Sequence, residues 1–159
     1  MRIGIVLFAS ALPLGLAQVF GLPQIPDGQV THLRREQVEA AFAKGSPLIE
    51  VEDYKIHASR RASEPGLAEI HTRDTDIIYV LQGSATLVTG GRAVAARTTG
   101  PEELRGSGIE GGESREIGPG DVVVVPNGTP HWFQRVDGPL LYYVVKVRQD
   151  GRETAVGGM

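Results

Sequence analysis

The stretch Gly120-Asp121-Val122-Val123-Val124-Val125-Pro126-Asn127-Gly128-Thr129-Pro130-His131-Trp132-Phe133 reads as a strand, a tight turn and the opening of a second strand. Four consecutive valines favour extended backbone, and Pro-Asn-Gly is turn chemistry. The turn fixes where His131 points. Side chains alternate along a strand, so His131, Phe133 and Arg135 are predicted to share one face. If that face lines the interior of a barrel, His131 is an inward imidazole in a partly apolar cavity.

The same punctuation runs through most of the chain. Strands are predicted over 48–59, 67–71, 77–82, 85–89, 113–117, 121–125, 131–136 and 140–147. Turn markers divide them: Glu64-Pro65-Gly66, Gln82-Gly83, Gly90-Gly91, Gly118-Pro119-Gly120 and Asp137-Gly138-Pro139. Short strands with turns at such spacing indicate an all-β sandwich or barrel. The Gly-rich stretch 98–112 is expected to be a long loop or irregular hairpin. Upstream, Val38, Ala41 and Phe42 recur at helical spacing, and Gly45 suits the left-handed position after a helix end. One short helix over 33–43 is therefore expected on the outside of the body.

A second stretch, Gly66 to Gly83, carries the remaining chemistry. Glu69 and His71 are two apart, so one strand presents both on one face. After the polar turn 72–75, Asp76 opens the next strand beside His71. His131 can join them from another hairpin. Two imidazoles with one or two carboxylates suit Fe(II), Mn(II), Zn(II) or Ni(II). Alternatives stand beside this reading. Glu69 can instead pair with Arg73 or Lys55, and Asp76 can hold the turn. Asp74 reads as a solvated turn residue, and His57 and His32 as bystanders. An inward Arg135 would hold a substrate carboxylate; pointing outward, it would reach solvent. Tyr79 and Phe133 are candidate substrate contacts, with core or dimer-interface packing as the alternative.

These residues resemble the two motifs of the cupin superfamily. The second motif, G-x5-P-x-G-x2-H-x3-N, is matched by Gly120, Pro126, Gly128 and His131, with Arg135 in place of the Asn. The first, G-x5-H-x-H-x(3,4)-E-x6-G, is matched by His71 and Gly83; Asp76 takes the Glu position and Glu69 that of the first His. Gly66 lies closer than the motif asks. The resemblance covers residues 48–148 and is to a small single-domain cupin. It implies a double-stranded β-helix, or jelly-roll barrel, often dimeric. It also implies Glu69, His71, Asp76 and His131 as ligands of one divalent metal.

Composition bounds the rest. The chain has 159 residues, with 41% hydrophobic and 22% charged. A chain of this size buries roughly 68–70% of its unfolded surface, enough for a core without staples. Its net charge is −3, and its 16 basic residues form no stripe, so nucleic acid is not an expected partner. The absence of Cys removes disulfides, thiolate-bound metals and thiol catalysis. Residues 1–17 read as a secretory signal peptide: Arg2, an uncharged apolar stretch, then Gly15-Leu16-Ala17 before Gln18. Export to the periplasm or medium follows as an expectation, with no membrane association once the signal is removed. Residues 18–47 are then a lead-in with the helix, 48–148 the barrel and 149–159 a polar tail.

The expected function is a small metalloenzyme, an oxygenase or isomerase acting on a small polar organic molecule. Glu69 would be its general base where it is not a ligand. The alternative is a non-catalytic module that binds a small ligand and holds a structural metal. A homodimer is expected in either case.

Overall fold

The computed structural model describes residues 28–149. Among these residues a single helix, α1 (Arg35–Lys44), precedes eleven strands. These are β1 (Pro47–Glu50), β2 (Tyr54–Arg61), β3 (Ala68–His71), β4 (Asp74–Thr89), β5 (Arg92–Val94), β6 (Arg97–Gly100), β7 (Glu103–Gly106), β8 (Gly108–Glu110), β9 (Glu113–Ile117), β10 (Val122–Val125) and β11 (His131–Arg148). All but β5 and β8 join one curled antiparallel sheet. The all-β jelly roll with one short N-terminal helix is therefore the observed architecture.

The spine is the ladder between β4 and β11, which runs from His131 opposite Thr89 to Arg148 opposite Asp74. Here the sequence reading divides too finely. The strands predicted over 77–82 and 85–89 are one strand, as are those over 131–136 and 140–147. Gly83 lets β4 run on through its turn marker. Its φ is +77°, and a Cβ there would stand 2.6 Å from the Pro139 carbonyl oxygen. Glycine alone fits that close approach at that dihedral. Opposite it, β11 absorbs extra residues between Asp137 and Leu141 as a bulge. Conversely, the strand predicted over 48–59 is broken into β1 and β2. The stretch 98–112 holds the β6–β7 hairpin and β8.

Two apolar clusters lie on opposite sides of β11. Ile78, Val80, Leu87, Phe133, Leu140 and Tyr142 belong to the inner one. The outer one sets Ala41, Val38 and Phe42 of α1 against Ala58, Ile56 and Tyr143. Phe42 meets Tyr143 edge-on at 5.0 Å. The helix thus buries its predicted face on the outside of the sheet. It ends where Gly45 turns left-handed at φ 63° and its N–H reaches the Phe42 carbonyl. No helix among the described residues is long and apolar enough to cross a membrane. The expected signal peptide, residues 18–27 of the lead-in and residues 150–159 of the tail lie outside the described residues.

Candidate metal centre

Three strands converge on one point. Glu69 on β3 is the register partner of His131 on β11. His71 follows two residues later on the same face of β3. The Pro126-Asn127-Gly128 turn is tied to the turn between β3 and β4. The Gly128 N–H donates to the His71 carbonyl at 2.7 Å, and the Asn127 amide donates to the Thr72 carbonyl at 3.2 Å. Gly128 itself has a φ of +77°. This turn therefore sets His131 directly against His71, with ring centroids 5.2 Å apart.

One ligand atom each from Glu69, His71 and His131 lies within 4.8 Å of the other two. Both imidazoles are buried. His131 Nδ1–H donates to the Thr129 carbonyl at 3.1 Å, which leaves Nε2 with its lone pair facing inward. His71 Nε2 is buried and has no hydrogen-bond partner. A buried polar nitrogen left orphaned is costly, and a divalent cation would satisfy it. The donor set fits such an ion.

The electrostatics agree with a neutral His131 ring. Burial pushes the His131 pKa down, against the pull of the Thr129 carbonyl, Asp76 and Glu69. Burial alone would raise the Glu69 carboxyl. Contact with His71, the charges of Arg105 and Arg61, and His131 once it is protonated at low pH outweigh it and hold Glu69 at about 2. Its Oε1 accepts from Arg61 at 3.2 Å and Arg105 at 3.1 Å, while Oε2 stands 3.6 Å from His71 Nε2. Neither Arg73 nor Lys55 is the partner: Arg73 goes to Glu102 and Lys55 to Asp74.

Asp76 reaches the same point from β4. One oxygen lies 3.5 Å from His71 Nε2 and 3.7 Å from His131 Nε2. Both of its oxygens also accept from Lys146 Nζ at 2.8 Å.

Around these groups lies a cavity of about 250 Å³. Phe133, Ile78, Tyr142 and Val144 form its apolar wall; Arg61, Arg105, Glu103 and Lys146 are among its charged lining. The Arg61 guanidinium sits 4.6 Å above the Phe133 ring and donates to the Tyr142 hydroxyl at 2.9 Å. A wider chamber of about 360 Å³ adjoins it and shares His57, His71, Glu103 and Lys146.

The structure moves several predicted residues. Arg135 is not inward. A bulge at Gln134 places Phe133 opposite Leu87 and Arg135 opposite Thr86, so alternation breaks after Phe133. Arg135 is exposed and pairs with Glu116 and Asp137. Tyr79 also faces out, because Asp76, Ile78 and Val80 occupy the inner positions of β4. Phe133 does line the cavity. Asp74 is buried rather than solvated and is held by Lys55 and Arg148. His57 is no bystander: it borders both chambers, and its Nε2 stands 3.3 Å from Glu50.

Arg61, Arg105 and Lys146 were missed in the sequence. Lys146 has a readable signal, since it keeps the inward parity of Tyr142 and Val144 in an otherwise apolar strand. Arg105 has none, because its register is set by pairing opposite Glu69 across β3 and β7.

Comparison with solved structures returns the same fold. A protein from Bacillus halodurans, BH2720, is 15% identical with a TM-score of 0.54; the match covers 78% of this chain and 86% of that one. The DMSP lyase DddQ from Ruegeria pomeroyi DSS-3 is 23% identical with a TM-score of 0.44, covering 66% of this chain and 42% of the lyase. Peruvianin-I from Thevetia peruviana latex, described as a cysteine peptidase, is 15% identical with a TM-score of 0.43. There the match covers 62% of this chain, which spans about half (52%) of the peptidase. The present chain has no cysteine, so thiol chemistry has no residue to carry it. Among curated proteins, no sequence matches. A family model described as Cupin matches residues 53–157.

Proposed function

We propose that this chain, which belongs to the cupin family, holds a divalent metal through Glu69, His71 and His131 and turns over a small polar organic molecule beside it. The reaction class is oxygenase or isomerase. The observation that carries the reading is the orphaned His71 Nε2, buried within 3.6 Å of Glu69 and 3.5 Å of Asp76. Two imidazoles and one carboxylate leave coordination positions open for a substrate or for O₂. Fe, Mn, Zn or Ni bound there would supply Lewis acidity or a redox electron.

The chain's own residues supply positioning and shelter. Arg61 and Arg105 grip one oxygen of Glu69 and turn the other towards the histidines. Phe133, Tyr142 and Val144 exclude water from one side of the cavity. A carboxyl held at about 2 accepts protons poorly at neutral pH. Of the two roles expected for Glu69, ligand and general base, it suits the first.

Export of the mature chain from Gln18, and pairing into a homodimer, are part of the same proposal. The test begins with elemental analysis of protein purified without chelator, then reconstitution with Mn, Fe, Ni or Zn. Binding near one ion per chain, abolished in the folded double variant His71→Ala/His131→Ala, supports the reading. Less than about a tenth of an ion per chain overturns it. Oxygen uptake by the Fe(II) form on catechols, diketones and sugar acids then separates enzyme from module. Ligand binding without product across that panel would favour a non-catalytic module.

A further inference from the structure

Asp76 stands where the motif resemblance asks for a metal ligand, yet its carboxylate is already committed. Asp76 on β4 and Lys146 on β11 are register partners, so their side chains rise side by side on the same inner face. Lys146 Nζ donates to both oxygens at 2.8 Å. Both residues are largely buried, with side-chain exposures of 15% for Lys146 and 5% for Asp76. A two-oxygen grip on a buried lysine neutralises the carboxylate where it would otherwise be drawn to a cation. Lys55, the β2 partner of Lys146 in the same row, is engaged by Asp74 instead. It therefore does not compete for Asp76.

Glu69 is held differently. Its two arginines share a single oxygen and leave the other facing His71. Each carboxylate thus turns one oxygen to the histidines, but in Glu69 that oxygen is not the one the arginines hold, whereas in Asp76 Lys146 holds both.

We infer that Lys146 is a positioning residue that keeps Asp76 out of the metal's coordination sphere, so that Glu69, His71 and His131 are the complete protein ligand set. This rests on the metal-binding reading above. Its consequence is an extra open coordination position on the side of the cavity that Lys146 lines.

The test uses Co(II) as the probe, read by its visible absorption and by calorimetric affinity. Lys146→Met frees Asp76 to coordinate. Co(II) should then bind about tenfold more tightly or better, with a shifted visible band. The double variant Asp76→Asn/Lys146→Met removes both charges and leaves no unpaired buried ion. It should bind Co(II) within about threefold of wild type, with the wild-type band, and it carries the test if Lys146→Met does not fold. Lys146→Arg should retain wild-type affinity and spectrum. Unchanged or weaker binding by folded Lys146→Met overturns the inference alone. So does a tenfold or greater loss in the double variant, because Asp76 would then be a ligand. Failure of the wild-type protein to bind Co(II) overturns the inference together with the metal-binding reading.

Discussion

His131 and Glu69 set the pH behaviour of the metal-free protein, and they act in separate ranges. Burial lowers the pKa of His131 below its ordinary 6.5, and burial does the same to His57. The unfolded chain then binds protons that the folded chain refuses, so stability falls as the pH drops below 6.5. Glu69 behaves as a carboxylate held low: its contribution is complete above 4.5 and is lost as the pH falls towards about 2. The expected outcome is a urea midpoint that declines from about pH 7.5 to about pH 5.5, then declines again below about pH 4.5. His131→Gln should shrink the upper phase to the share of His57 and leave the lower one. An identical upper phase in that variant would remove His131 from the account.

At the scale of elements, glycines and bulges decide how two very long strands bend round the cavity. Gly83 is the critical joint of β4. Gly83→Ala places a methyl group against the Pro139 carbonyl at a left-handed dihedral. A loss of more than about 1 kcal/mol in folding stability is expected, measurable by denaturant titration. The strand-and-turn punctuation made the class of fold legible, and the Gly120–His131 spacing made one histidine legible. What stayed hidden depended on register. Arg135 was misplaced because no local residue marks the bulge at Gln134. Tyr79 was misplaced although its parity was legible: an inward Asp76, three residues earlier on the same strand, turns Tyr79 outward. Arg61 and Arg105 were invisible because their meeting at Glu69 is made by cross-strand pairing, not by spacing along the chain.

At the scale of the whole molecule, one face of the sheet is apolar and uncovered among the described residues. β10 pairs only with β4, and Val122 and Val124 on it are 60% and 58% exposed. Val122 lies opposite Tyr79, itself half-exposed. This is where the proposed homodimer is expected to close, since an uncovered edge with apolar side chains favours pairing. Light scattering at tens of micromolar should give twice the chain mass, and Val122→Lys/Val124→Lys should give the chain mass with the fold intact. A wild-type monomer under those conditions would end the dimer proposal.

The ladder between β4 and β11 also governs the order of events at synthesis. The inner cluster needs Phe133, Leu140 and Tyr142, which lie on β11, after every other strand in chain order. Until β11 has left the ribosome, β4 has no partner for its full length and the core stays open. Fold topologies dominated by such distant pairings form slowly, in about milliseconds to seconds. Late closure would suit the proposed export only by a route that takes unfolded chains. A chain ending before His131 should show no cooperative unfolding transition, while refolding of the full chain should proceed in that slow range.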